Sequence, residues 1–221
     1  MTAVTLDALD LAALLCSRVC HDVISPVGAI VNGLEVLEDE NDASMKEFAL
    51  DLIKKSARQA SARLQFARLA FGAAGSAGAE IDLGDAEQVA KGFIHDDKLS
   101  LEWHAERRLL PKNKVKLLLN LVLVATNAIP RGGRISVSAT YGESNDVSFS
   151  VEAKGPQARI PVNAQELVSG RSSTGGVDAH GIQAFYTGLV AQASNMQIAF
   201  TIDGDIVTIT AQSMAAEATE G

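Results

Sequence analysis

The chain has 221 residues, 47% of them hydrophobic and 21% charged, enough for one large domain or two small ones around a real core. Its net charge of −8 argues against a nucleic-acid-binding face. The longest apolar runs, at 117–119 and 121–125, fall far short of a membrane span, and no basic segment, apolar stretch and cleavage site opens the chain. A soluble, cytoplasmic protein with no membrane or nucleic-acid partner is the expectation.

From residue 6 to about 39 there is no strand-like alternation. Cys16, Val19 (or Cys20), Val23, Val27, Ile30, Leu34 and Leu37 recur at spacings of three and four, an apolar helical stripe. Ser17, His21, Ser25, Gly28, Asn32 and Glu35 form a second stripe of polar and small residues, so His21 is expected on the wet side. Pro26 interrupts this helix, where proline costs about 3 kcal/mol. Lacking an N–H, it leaves the Asp22 carbonyl without its helical partner, which predicts a kink close to His21 and free backbone for a docking partner. Cys16 and Cys20 read as small buried hydrophobes rather than metal ligands, since no second ligand cluster accompanies them. His95, His104 and His180 are scattered, without ligand spacing.

"EDENDAS" (38–44) reads as a solvated acidic turn, with Ser44 and Glu47 at capping-box spacing for a second helix. Met45, Phe48, Leu52, Ile53, Ser56, Ala60, Leu64 and Ala67 carry that helix to about Phe71. Two long antiparallel helices joined by a short loop form a hairpin, which cannot cover both of its apolar faces. Pairing of two copies into a four-helix bundle, a homodimer, follows from burial.

"GAAGSAG" (72–78) is the natural boundary. It separates a helical domain at 1–72 from an α/β domain at 80–213, with a linker at 73–79 and a tail at 214–221. Within the α/β domain the pattern predicts helices near 84–95, 112–128, 163–169 and 179–193. Strands are predicted near 98–103, 134–142, 146–153, 196–203 and 205–212, the last two joined at Asp203-Gly204. The fold class is α+β: a helical hairpin, then helices on one face of a mixed, mostly antiparallel sheet.

Imidazole is nucleophilic near neutral pH through its unprotonated nitrogen, and a neighbouring carboxylate can fix the tautomer that leaves that nitrogen free. Asp22 is placed to do this, or to shuttle a proton. Ser25, one turn beyond His21 on the same face, is placed to position a water or to contact a partner's phosphorylated aspartate. His21-Asp22-x-x-Ser25-Pro26 resembles the H-box of the dimerisation and phosphotransfer domain of histidine kinases. With a hairpin, a small-residue linker and an α/β domain in that order, the resemblance covers nearly the whole chain and implies a kinase-type ATPase (Bergerat) fold for the second domain.

The nucleotide motifs of that family are degraded. Against N-L-L-x-N-A-x-K-x-x-P-x-G-G, the stretch "NLVLVATNAIPRGG" (120–133) keeps Asn120, Leu121, Ala125, Pro130, Gly132 and Gly133. Val124 falls on the Mg²⁺-binding Asn and Asn127 on the Lys. In place of D-x-G-x-G stand Ala153, Gly155, Pro156 and Gln157, and the final glycine-rich loop is reduced to Gly181 in "DAHGIQAF". Without its adenine carboxylate, Mg²⁺ ligand and glycine loop, the fold is expected to survive while ATP binding does not.

An intact H-box beside a ruined nucleotide site resembles the dimeric histidine phosphotransferases of alphaproteobacterial cell-cycle signalling. That resemblance implies a phosphorelay on His21, from the receiver domain of a hybrid sensor kinase (CckA-like) to response regulators (CtrA-like, CpdR-like). Asp22 and Ser25 would assist, and Ser17, Arg18, Gly28, Ala29 and Asn32 would line the docking face. This chain would bind no cofactor or metal, Mg²⁺ being supplied by the partner receiver, and its second domain would help grip that receiver. The alternatives are an ATP-dependent histidine kinase core and a non-catalytic dimeric scaffold for response regulators.

Overall fold

The chain is described from a computed structural model covering residues 2–39, 42–72, 78–94, 98–142, 146–173 and 175–214. The expected linker falls mostly, and the tail almost wholly, outside these residues, as do His95 and the centre of the acidic turn. Two long helices form the hairpin: α1 (Ala8–Asp39) and α2 (Ala43–Ala70). Between them Pro26, Gly33, Ala49, Ser56 and Ala60 are buried, and Gly33 sets the closest approach. A Cβ there would stand 2.7 Å from Ile53 Cγ1 and 3.3 Å from the Ala49 carbonyl oxygen. Asp42, not Ser44, caps α2: its Oδ1 accepts from the Ser44 amide at 2.8 Å and the Ser44 hydroxyl at 2.7 Å. An ionised carboxylate is the stronger acceptor for such a cap.

The apolar stripe of α1 divides in two. Val19, Val23, Ile30 and Leu37 are half-buried, whereas Cys16, Cys20, Ile24, Val27, Val31 and Leu34 are exposed, Ile24 by 70%. Both cysteines are therefore exposed, against the expectation of buried ones, because they lie on the side of α1 turned away from α2. Among the described residues α1 is the one helix long and apolar enough, by length and composition, to cross a membrane.

The second part is built on a five-stranded sheet of β3 (Leu99–Trp103), β5 (Gly133–Tyr141), β6 (Val147–Lys154), β8 (Met196–Asp203) and β9 (Ile206–Ser213). Their spatial order is β3-β5-β6-β9-β8, with β3 and β5 parallel and every other pair antiparallel. On β6, Val147, Phe149, Val151 and Ala153 alternate inward, as a half-buried strand requires. Helices α3 (Leu83–Phe93), α4 (Lys112–Ala128) and α6 (Ile182–Ala193) cover that face. Helix α4 is buried on every side from Val115 to Ala125, the signature of a central core helix. The β8–β9 turn is Gly204-Asp205, one residue later than expected, with Gly204 at φ +54° in a position that favours glycine.

Short elements complete the fold: β2 (Glu80–Asp82) pairs with β4 (Leu109–Pro111), β1 (Thr2–Ala3) with β7 (Arg171–Ser172), and α5 (Ala164–Val168) precedes α6. The hairpin is not separate from this core. Phe66 and Ala70, near the end of α2, are buried within it, and the Phe66 ring lies 4.3 Å from that of Phe93.

Candidate functional site

His21 projects from the middle of α1 with its side chain 85% exposed. Its Nδ1 lies 3.4 Å from Asp22 Oδ1, while Asp22 Oδ2 accepts from Arg18 Nε at 3.1 Å. The carboxylate thus bridges a guanidinium and the imidazole. With Nδ1 donating to Asp22, Nε2 is left unprotonated and turned to solvent, which is the tautomer a nucleophile needs.

Helix α1 runs unbroken through Pro26. The Asp22 carbonyl that Pro26 strips of its partner accepts a hydrogen bond from the Arg63 guanidinium of α2. The freed backbone is therefore satisfied within the hairpin and is not on offer to a docking partner, because Asp22 and Pro26 lie on the side facing α2. Arg63 was not legible in the sequence, since no local pattern reports which α2 residue stands level with Asp22.

Ser17, Ser25 and Asn32 are exposed with His21, and a Cβ at Gly28 would meet nothing within 4 Å, so this stripe is open. Arg18 and Ala29 are half-buried, and Arg18 is engaged by Asp22. His104 and His180 are exposed elsewhere in the α/β part, and no metal-ligating cluster occurs among the described residues.

The residues aligned with nucleotide motifs are packed into the fold. Asn120 is fully buried; its Nδ2 donates to Ala70 O at 3.0 Å and Lys116 O at 2.8 Å, and its Oδ1 accepts from Gln183 Nε2 at 2.7 Å. Val124 and Ala153 are buried in the apolar core. The glycine pair serves backbone packing: a Cβ at Gly132 would stand 2.4 Å from Lys98 O, and one at Gly133 2.2 Å from Lys154 O. At the start of α6, Asp178 Oδ1 accepts from the Gly181 amide at 2.7 Å and the His180 amide at 3.1 Å. These two amides precede the helix, so the carboxylate fixes the turn that leads into α6. The Asp-x-x-Gly spacing before the helix was the available signal for this turn. Burial raises the Tyr186 hydroxyl above its ordinary pKa, and burial followed by the nearby Lys112 charge lowers the Lys116 ammonium.

A solvent-facing, carboxylate-supported histidine on a helical hairpin, packed against an α/β sandwich, defines a protein of the histidine phosphotransfer class. Residues 83–206 match the model of the histidine phosphotransferase C-terminal domain. The chain is 51% identical over 209 residues to the protein phosphotransferase ChpT of Brucella abortus (strain 2308), covering 95% of this chain and 98% of that one. A solved bacterial phosphotransferase, 48% identical, superposes with a TM-score of 0.86 over 96% of this chain and 100% of its own. The chain belongs to the histidine phosphotransferase family.

Proposed function

We propose that His21 carries the phosphoryl group of a multistep phosphorelay, taking it from the aspartyl phosphate of one receiver domain and passing it to the aspartate of another. In the first step the Nε2 lone pair attacks phosphorus, the P–O bond to the partner's carboxylate breaks, and that carboxylate leaves with the bonding pair. The Nδ1 proton stays shared with Asp22, which stabilises the ring as positive charge develops. Acceptor transfer reverses these roles. Mg²⁺, when bound by the partner receiver, would supply charge neutralisation at the transferring oxygens. Ser25 positions the partner's phosphate, Ser17, Gly28 and Asn32 give its helix close access, and Arg18 acts through Asp22. The donor is a hybrid-kinase receiver of the CckA-like kind, and the acceptors are CtrA-like and CpdR-like regulators. The observation that carries this reading is His21 itself, exposed with its Nδ1 at a carboxylate.

The same reading divides the chain into a hairpin at 1–72 and an α/β part at 80–213, pairs two hairpins across the exposed apolar side of α1, and makes the second part a grip for the receiver. It gives the chain no ATP of its own. In support, Val124 and Ala153 lie in the core where a metal ligand and an adenine acceptor are needed.

Purified, phosphorylated receiver domain is the test. Wild type should become labelled, His21→Ala should not, and labelled ATP alone should label neither. Labelling of His21 by ATP overturns the loss of the nucleotide site. Relay by His21→Ala overturns the role of His21, and no transfer to wild type favours the scaffold.

A further inference from the structure

The segment before α1 is bound to the far part of the molecule. Thr2 and Ala3 pair with Ser172 and Arg171, and the Val4 amide donates to Gly170 O at 2.9 Å. Val4, 9% exposed, sits in an apolar cluster with Leu167, Ile182 and Phe185, set apart from the main core. Leu6, Leu11, Leu14 and Leu15 pack on the same cluster, so it grips the opening turns of the helix that carries His21. His21 lies six residues past Leu15, about 9 Å along the axis.

The end of the hairpin is anchored to α4, through Asn120, and to α6, through Tyr186. Asn120 Nδ2 bonds Ala70 O, and the Phe71 and Tyr186 rings meet edge-on with centroids 5.6 Å apart. A domain joined at one place can swivel about it, whereas one held at two separated places moves only if one of them releases.

We propose that residues 2–6 form a strap that fixes the α/β part in one orientation beside His21, so that a receiver domain meets a preformed two-part docking surface. The docking half of this inference rests on the phosphorelay reading above; the strap itself does not. A two-residue strand pair is too short to hold by its own hydrogen bonds, so the buried Val4 side chain is the fastening. Preorganisation sets the size of the effect. If release leaves about one tenth of molecules aligned, the apparent dissociation constant for the receiver rises about tenfold.

The test uses the full chain, with Val4→Asp as one variant and deletion of Thr2 and Ala3 as the other. Spin labels at Lys54→Cys and Thr201→Cys, in a Cys16→Ser, Cys20→Ser background diluted into unlabelled protein, report the distance between the two parts. Wild type should give one narrow distance and Val4→Asp a broad distribution, with receiver binding weakened about tenfold. Far-UV circular dichroism identifies a variant that has unfolded, and the deletion then decides. A narrow distance retained in the folded variants overturns the strap, and a broad one with unchanged receiver affinity overturns its part in docking. Failure of wild type to accept phosphate from the receiver removes the phosphorelay reading, while the distance measurement still judges the strap.

Discussion

Pro26 and Arg63 are two halves of one local arrangement. Proline removes a donor from the middle of α1, and a guanidinium 41 residues away supplies it to the same carbonyl, one residue along from His21. An unsatisfied, partly buried carbonyl costs about 1–3 kcal/mol, so Arg63→Met should destabilise the protein by that order in urea denaturation. Pro26→Ala returns an N–H to the Asp22 carbonyl, so Arg63→Met should cost less in that background. The double-mutant cycle should give a coupling of about 1 kcal/mol. A coupling of zero would mean that the arginine acts there through something other than the freed carbonyl. Half of this was legible in the sequence: the proline names the carbonyl it strips. The partner was not, because the register between two helices depends on packing at Gly33 and Ile53, and Arg63 taken alone is one more cation on a polar face.

Among the elements, the five long strands declare themselves because each is long enough for its period to repeat, and α4 does so by its long, almost wholly apolar run. Strands β1, β2, β4 and β7, of two or three residues, have no period to read and exist only through their partners. The cap of α2 illustrates a finer ambiguity, since Asp42 and Ser44 both suit the position and only the backbone chooses between them. Asn120 is the opposite case: a motif match marked it, yet its role is to join α2, α4 and α6. Asn120→Leu keeps the branch at Cγ but leaves Gln183 Nε2 and the Ala70 carbonyl without their partner, and should cost about 3 kcal/mol. Urea denaturation measures the loss. Amide exchange should quicken more at the end of α2 than in β5, and equal quickening would place the damage in the fold at large.

At the scale of the whole molecule, the small-residue stretch at 72–78 suggested a division into two parts but carried no sign of how the two parts join. Residues 2–4 and 66–70 join the α/β part through contacts distant in sequence, which periodicity does not register. What the periodicity did carry is the excess of apolar surface. Cys16, Cys20, Ile24, Val27, Val31 and Leu34 run down one exposed side of α1 at spacings of three and four, and Met45 and Phe48 are exposed on α2. A stripe of this kind on a charged protein is the signature of a helix awaiting another helix. The expected occupant is a second copy, which would present the same stripe, and a stable interface needs about 800 Å² per partner. Ile24→Glu with Val31→Glu places two charges about two turns apart on that stripe while leaving the α2-facing side intact. Light scattering after gel filtration should give the dimer mass for wild type and the monomer mass for the double variant, with unchanged circular dichroism. Because Arg18, Asp22 and Arg63 all reach the His21 region from its own chain, the monomer should still accept phosphate on His21. A double variant that remains dimeric would put the interface elsewhere. A monomer unable to accept phosphate would mean that the site draws a further group from the second copy.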